Sequence, residues 1–124
     1  MDTDCRTIVT GGGTGGEGLK IWDLRNLKVP VTKIPWAISS MGQAVNPSIN
    51  CAKFVPGMGL LVAGSSNDTP AKCFNYKAGG VVVQDFYKLK KSCFSIDVSP
   101  DKGLLALGDY TGQLQVENLV YASV

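Results

Sequence analysis

An internal echo at a spacing of 44 residues restricts the fold of this chain more than any other feature of its sequence. Pro56 and Pro100 are 44 residues apart, and so are Gly64 and Gly108. Between these residues lie matching runs of strand and turn: INCAKFVP, LLVAG and AKCFNY in the first pass, then CFSIDVSP, LLALG and QLQVENL in the second. A repeat of about 40–45 residues holding four short strands indicates units that stack on their neighbours.

The rest of the chain also predicts β-structure. The 124 residues include 15 glycines and 6 prolines, which separate short runs of Val, Ile, Leu and aromatic residues. The segments RTIVT at 6–10, LKIWDL at 19–24 and residues 30–34 predict three further strands, and residues 81–99 predict strand, turn, strand. No capped helical period is visible, and no apolar run reaches the ~18 residues of a membrane helix. The predicted class is all-β.

Several predicted strands, such as LLVAG and LLALG, are apolar at nearly every position. A sheet with one face in water alternates apolar and polar residues, so these strands are expected to be covered on both faces. Stacked sheets provide that cover. A two-sheet sandwich is the structural alternative, but its strands would alternate more cleanly and would not require the 44-residue echo.

Three segments resemble the WD-repeat family of β-propellers: GLKIWDL at 18–24, SPDKG at 99–103 and LGDYTGQLQV at 107–116. The resemblance implies blades of four antiparallel strands, ordered a to d from the inside outward. This chain would supply strands b–d of one blade, a whole second blade, and strands a–c of a third, with a short last strand at 120–124. Only Trp22-Asp23 keeps the family's name-giving pair, and the degenerate versions are predicted at Phe74-Asn75 and Val116-Glu117.

The chain is therefore predicted to be one domain, residues 1–124, forming a partial WD-repeat-like β-propeller of about three four-stranded antiparallel blades. The predicted parts are a partial blade at 6–34, a long loop at 35–48, a blade at 49–86 and a blade at 93–124. Propellers close with four to eight blades, typically, so one chain does not close the ring. Three alternatives follow: a segment of a longer propeller, an incomplete gene product, or a ring completed by other copies or another subunit.

The family often has a buried hydrogen-bond network that includes histidine, and this chain contains no histidine. Thr10 is expected beside Trp22, whose indole N–H needs a partner wherever it is buried. Ala63 and Leu107 occupy the matching positions in the other blades, which are expected to rely on apolar packing.

Composition and motifs weigh against catalysis and cofactors. Without histidine, Ser-His and Cys-His nucleophile pairs are excluded. Residues 11–16 match G-x-G-x-x-G, but a strand is predicted next where a dinucleotide site needs a helix N-terminus, so a glycine turn is favoured. The four cysteines form no C-x-x-C pair, which predicts reduced thiols, no metal and no cofactor.

Carboxylates give a weak alternative. Most lie in predicted turns, where Asp usually has a turn or cap role. Asp85, Asp97 and Glu117 lie within predicted strands, and an enzyme hypothesis would require them to converge.

By the family resemblance, the d-to-a and b-to-c connections emerge at one end of the propeller. We expect a partner-binding surface there. Its predicted residues are Trp36, Met41, Asn67, Asp68, Tyr87, Lys88, Lys90, Lys91 and Tyr110. Trp36 and Met41 are either loop residues packed against a core or exposed anchors, and the basic run 87–91 is either a solvated connection or a contact for an acidic partner.

These features predict a non-catalytic protein–protein interaction scaffold whose partners are other subunits or further blades, including copies of the chain itself. A ribonucleoprotein-associated scaffold, for example in ribosome assembly, with RNA contacted through residues 87–91, is the alternative. The net charge of only +2 does not indicate nucleic acid as an obligatory partner. The polar, acidic start lacks the build of a secretory signal, so a cytoplasmic or nuclear protein without membrane association is expected.

Overall fold

The computed structural model describes residues 4–13, 18–67, 69–89, 92–99, 101 and 103–119. Within these ranges the chain forms twelve β-strands and one single-turn 3-10 helix, Tyr76–Ala78. The strands, in chain order, are β1 Thr7–Gly11, β2 Leu19–Asp23, β3 Thr32–Ile34, β4 Ala37–Ile38, β5 Ala44–Val45, β6 Ile49–Val55, β7 Leu60–Ser65, β8 Ala71–Asn75, β9 Val81–Phe86, β10 Cys93–Ser99, β11 Leu104–Asp109 and β12 Leu114–Asn118.

Three antiparallel sheets follow one another along the chain as successive blades. Blade 1 has the strand order β1-β2-β3, blade 2 has β6-β7-β8-β9, and blade 3 has β10-β11-β12. The fold is an all-β partial propeller, and the described strands do not close a ring. The short last strand predicted at 120–124 lies outside the described residues. No helix in the described ranges has the length and apolar character to cross a membrane.

The same pairing register recurs in all three blades, between β1 and β2, between β7 and β8, and between β11 and β12. The pairs that mark it are Gly11–Leu19, Gly64–Ala71 and Gly108–Leu114. The register confirms the 44-residue echo and corrects one detail of the sequence alignment. Because the turn before β12 is one residue shorter than the turn before β8, the third version of the Trp-Asp pair is Glu117-Asn118 and not Val116-Glu117.

Each blade presents a forward face toward the next blade in the chain and a rear face toward the preceding one. One apolar layer joins the forward face of blade 1 to the rear face of blade 2, and it contains Leu19, Ile21, Ile34, Trp36, Phe54, Leu61, Ala63, Phe74 and Tyr76. A second layer joins blades 2 and 3, and it contains Val55, Leu60, Val62, Ala71, Cys73, Phe86, Leu89, Cys93, Ile96, Leu105, Leu107 and Leu119.

The burial of individual strands follows from this stacking. Every residue of β7 is buried, because blade 2 is covered on both faces. Burial alternates along β11, because nothing described covers the forward face of blade 3. The prediction of doubly covered strands is thus confirmed for β7. The two-sheet sandwich is wrong, because it has no middle sheet with a core layer on both sides.

Two segments between strands were left open by the sequence. Residues 35–48, predicted as a long loop, contain the short hairpin of β4 and β5. After the glycine-rich residues 11–16, the chain enters β2 at Leu19. The strand predicted after this segment is therefore confirmed, whereas residues 14–17, which include part of the predicted glycine turn, lie outside the described residues.

Candidate protein-interaction surfaces

In each blade one turn lies at the same end of the molecule as the connections between blades, as the family resemblance implies. These are the turns between β1 and β2, between β7 and β8, and between β11 and β12. Three backbone hydrogen bonds join these turns to neighbouring segments. They are Ile49 N–H to Gly12 O (2.9 Å), Ser66 N–H to Ser48 O (3.0 Å) and Tyr110 N–H to Ser92 O (3.2 Å). The first bond joins the turn between β1 and β2 to the start of the next blade. The other two join the turn between β7 and β8, and the turn between β11 and β12, to the connection that precedes their own blade. We call this end the connection end.

Large apolar side chains project into solvent at the connection end. Met41, in the hairpin turn between β4 and β5, is 85% exposed, Tyr87 is 67% exposed and Tyr110 is 60% exposed. The rings of Tyr110 and Phe94 pack edge to face with centroids 6.2 Å apart. Exposed aromatic and Met side chains of this kind are enriched at protein interfaces.

Phe94 was missed by the sequence analysis. It lies in β10 two residues before the buried Ile96, where the alternation of side chains along a strand predicts a core position. A register shift between Cys93 and Ser95 breaks the pairing of β10 with β11 at this point. The bulge turns Phe94 outward, where it is half exposed beside Tyr110. A bulge leaves no clear mark in a single sequence.

Trp36 is not an exposed anchor. Its side chain is 1% exposed, and its ring packs edge to face on Phe74 with centroids 5.7 Å apart. Of the two alternatives for Trp36, packing against the core is therefore the one the structure supports. Met41 takes the other alternative, since almost all of its side chain meets solvent.

A lysine that the sequence analysis did not single out connects Trp36 to the connection end. Lys72 Nζ donates a hydrogen bond to the backbone oxygen of Trp36 at 2.8 Å and lies 3.9 Å from a carboxylate oxygen of Asp85. The other carboxylate oxygen of Asp85 accepts from the Tyr87 hydroxyl at 3.2 Å. This network links blade 1, blade 2 and the connection that follows blade 2, which steadies the exposed Tyr87 ring.

The basic run and the turn after β7 have simpler structural roles where they are described. Lys88 Nζ lies 3.6 Å from a carboxylate oxygen of Glu117, so its charge is partly matched within the chain. The Asn67 side chain accepts a hydrogen bond from Thr69 N–H, as expected of a turn residue. The predicted site residues Asp68, Lys90 and Lys91 lie outside the described residues. RNA binding through this run stays a prediction.

Two buried polar residues hold the turns of the connection end. Asp109 Oδ1 accepts hydrogen bonds from the hydroxyl and N–H of Thr111 and from Gln113 N–H, and Ser65, at the equivalent position of blade 2, accepts from Asn67 N–H. The hydrogen bond from the Thr111 hydroxyl, with the backbone bonds, lowers the pKa of Asp109. The turn role predicted for this aspartate is confirmed.

Asp23 shows the same behaviour at the opposite end. The side-chain hydrogen bonds from Arg25, followed by its backbone N–H, lower the pKa of Asp23 to about 2. Its carboxylate is thus part of the turn after β2, again as predicted for an aspartate that follows a strand.

The carboxylates within strands each pair with a different lysine. Asp85 faces Lys72, Asp97 faces Lys53 at 3.4 Å, and Glu117 faces Lys88, as described above. Within the described ranges, no group of three or more His, Cys, Asp or Glu side chains is placed to hold a metal ion. All four cysteines are free thiols.

The forward face of blade 3 is an open apolar surface. It carries Leu104, Ala106, Leu114 and Val116. Their counterparts in blade 2, related by the shared register, are Leu60, Val62, Ala71 and Cys73, and each of these is at most 1% exposed. A depression of about 230 Å³ on the open face is lined in part by Ala106 and Val116.

The rear face of blade 1 is open as well, and its character differs. The Trp22 indole N–H donates to the hydroxyl oxygen of Thr10 at 2.9 Å, which confirms the predicted partnership. Lys20 Nζ lies 5.8 Å from the centre of the Trp22 ring. Lys33 pairs with Lys20 across strands β2 and β3, so two lysines lie on this face with the Trp22 ring.

Solved structures resemble this chain, although no protein-family model and no curated protein matches its sequence. A chain of a mitotic checkpoint complex aligns with a TM-score of 0.73 and 15% identity over 92% of this chain. The computationally designed Ika4 protein aligns with a TM-score of 0.64 and 16% identity over 92%. Hsv2 of Kluyveromyces lactis aligns with a TM-score of 0.51 and 17% identity over 91%.

This chain spans only part of each of these proteins: 34% of the checkpoint-complex chain, 61% of Ika4 and 46% of Hsv2. At such low identity the similarity concerns the fold alone. The neighbours include propeller proteins, in agreement with three stacked blades and an open ring. The comparisons therefore establish a partial propeller.

Proposed function

We propose that this chain is a non-catalytic protein–protein interaction scaffold of WD-repeat type, and that it acts as one arc of a larger propeller or assembly. The observation that carries the proposal is the open forward face of blade 3. Apolar residues occupy it at positions that are buried in blade 2. Exposed apolar faces and unpaired strand edges favour association with another protein surface.

The connection end is the second part of the proposed scaffold. Met41, Tyr87, Phe94 and Tyr110 form its exposed apolar contacts, and Asn67, Asp68, Lys88, Lys90 and Lys91 complete the predicted surface. Loops on a rigid scaffold are the usual place for such contacts. The network through Lys72 supports this role, because a steadied aromatic ring loses less conformational freedom on binding.

The comparisons support a scaffold in one respect. A protein of similar fold is a component of a mitotic checkpoint complex, and so works within a multi-protein assembly. Protein partners, either other subunits or further blades, fit the surfaces described above. The proposed location is cytoplasmic or nuclear.

A photo-crosslinking experiment tests the connection end. A photoreactive phenylalanine derivative replaces Tyr110 in one protein and Val81 in a matched control. Val81 is also exposed, but it begins β9 after the turn at the opposite end. After irradiation in extract of the source cells, discrete protein adducts are expected at position 110 and not at position 81.

Competition makes the result specific. Excess unlabelled chain is expected to suppress the adduct, whereas excess Phe94→Asp chain is not, because the substitution places a charge in the aromatic pair. Equal adducts at positions 81 and 110, or equal suppression by both competitors, would contradict the proposed binding surface.

A further inference from the structure

We propose that the forward face of blade 3 binds the rear face of blade 1 in a second copy of this chain, so that copies join head to tail. The inference rests on the proposed role of the chain as an arc of a larger assembly, and it names the partner of that arc. It follows from a comparison of the two open faces with the two covered interfaces inside the chain.

The forward face of blade 3 repeats the surface with which blade 2 contacts blade 3. Leu114 is 68% exposed and Val116 is 54% exposed, whereas Ala71 and Cys73, their counterparts, are fully buried in the interface between blades 2 and 3. The forward face of blade 3 is therefore apolar at the positions that, in blade 2, are buried against the next blade.

The rear face of blade 1 repeats the surface that blade 2 presents to blade 1. In blade 2 the pair Lys72 and Phe74 is covered: Phe74 is fully buried, and Lys72 donates to the backbone oxygen of Trp36. Lys20 and Trp22 occupy the equivalent positions of blade 1. Blade 1 thus has a lysine and an aromatic residue at the positions where blade 2 has a lysine and an aromatic residue covered by blade 1.

The Trp22–Thr10 hydrogen bond prepares this rear face for burial. An indole N–H that loses water without gaining a partner costs free energy. Here the N–H already donates to Thr10 within the chain, so covering the ring leaves no orphaned donor. At the equivalent positions, Ala63 and Leu107 are fully buried, which shows how closely a neighbouring blade approaches this point.

A head-to-tail contact is heterologous, and such contacts form rings when the rotation closes and open filaments when it does not. A symmetric contact between two forward faces would create an interface that occurs nowhere within the chain.

A mixing experiment with two variants tests the inference. Val116→Glu places a carboxylate on the forward face, and Thr10→Glu places one on the rear face; both residues are exposed in the single chain. Size-exclusion chromatography with light scattering is expected to show concentration-dependent association of the unaltered chain. Each variant alone is expected to be monomeric, with association weakened at least about 100-fold, because each carboxylate must lose water in a closely packed interface.

An equimolar mixture of the two variants distinguishes head-to-tail joining from every symmetric arrangement. The mixture retains one intact forward face and one intact rear face, so a dimer with a single junction is expected. Val81→Glu, on an exposed residue outside both faces, is the matched control and is expected to associate like the unaltered chain. Circular dichroism establishes that each variant is folded, and the pair Leu114→Lys and Lys20→Glu replaces any variant that is not.

Three outcomes would overturn the inference: a monomeric unaltered chain at its highest soluble concentration, dimers of Thr10→Glu alone, or a mixture that stays monomeric. If the unaltered chain is monomeric, photo-crosslinked adducts of position 110 with a different protein would still support the proposed scaffold function. Failure of both experiments would remove the proposed function as well.

Discussion

The Trp22 indole donates its N–H to the hydroxyl of Thr10 across neighbouring strands at 2.9 Å, although this face of blade 1 is open. Phe74 occupies the position of Trp22 in blade 2 and is fully buried, with Ala63 in place of Thr10. The two positions therefore have the same register and very different environments. That difference yields a direct comparison of burial at one site of the repeat.

Phe74→Ala is expected to lower the free energy of unfolding by about 3–5 kcal/mol, because it leaves a cavity between blades 1 and 2. Trp22→Ala is expected to cost less, about 1–3 kcal/mol, since its ring is only partly buried in the single chain and one exposed hydrogen bond is lost. Urea unfolding measures both. The measurements are made in Val116→Glu chains, so that self-association does not bury Trp22. Equal losses would contradict the open rear face.

Gly64 and Gly108 give a second matched comparison. A Cβ at Gly64 would lie 2.7 Å from Cys51 Sγ and 2.8 Å from the backbone oxygen of Cys93, whereas a Cβ at Gly108 would meet only the Ser95 hydroxyl. A backbone carbonyl cannot move aside as a hydroxyl can. Gly64→Ala is therefore expected to destabilise the chain by about 1–3 kcal/mol, and Gly108→Ala by less. Thermal unfolding measures the melting temperature of both variants. A lower melting temperature for Gly108→Ala than for Gly64→Ala would contradict the prediction.

The sequence alone predicts the strands and their stacking, because period and turn residues are local signals. The strands LKIWDL, LLVAG and VVVQDF lie where they were predicted, within a residue at each end. Even the partnership of Thr10 with Trp22 was predictable, since an indole N–H has few ways to be satisfied. The site was less predictable. Exposure of Phe94 depends on a bulge, and burial of Trp36 depends on contacts with blade 2 that are distant in sequence.

Lys72 and Lys20 show why such contacts escape sequence analysis. Both are lysines at the same strand position, but Lys72 is largely buried and donates to Trp36 O, whereas Lys20 lies on the open rear face. Lys72→Met keeps the apolar stem and removes the donor, so a loss of about 1–3 kcal/mol is expected. Lys20→Met is expected to cost less, because the Lys20 ammonium group lies over the Trp22 ring on a face that no described blade covers. Urea titration in the Val116→Glu background checks both; equal effects would contradict the network.

Acid is expected to weaken the turns that Asp23 and Asp109 hold. Hydrogen bonds lower the pKa of both groups in the folded chain, to about 2 for Asp23. A lowered folded-state pKa means that the stabilisation is complete above the unfolded value of about 3.9 and is lost as pH falls through the folded value. Melting temperatures measured from pH 7 to pH 2 are therefore expected to fall mainly below about pH 4. The Asp109→Asn variant should have a lower melting temperature at pH 7, and its melting temperature should fall less on acidification. An equally steep fall in this variant would show that Asp109 does not contribute to the acid response.

The four thiols are expected to report the integrity of the blade interfaces. Burial raises the pKa of Cys73 to about 12, and a hydrogen bond with Cys51, together with burial, raises the pKa of Cys93. The thiolate is the reactive form, so alkylation at pH 8 should modify the exposed Cys5 first and leave Cys73 and Cys93 protected until the chain unfolds.

Mass spectrometry of chains pulsed with iodoacetamide across a urea series measures this order, and Cys5→Ser removes the fast phase as its control. Cys51 is only partly buried, and the hydrogen bond with Cys93 lowers its pKa, so it should react between these extremes. Cys93 belongs to the layer between blades 2 and 3, and Cys51 packs against that layer. Cys73 lies in the same layer, so separation of blade 3 is expected to make Cys73 and Cys93 reactive at the same urea concentration. Rapid labelling of Cys73 in the absence of urea would contradict the packed layer itself.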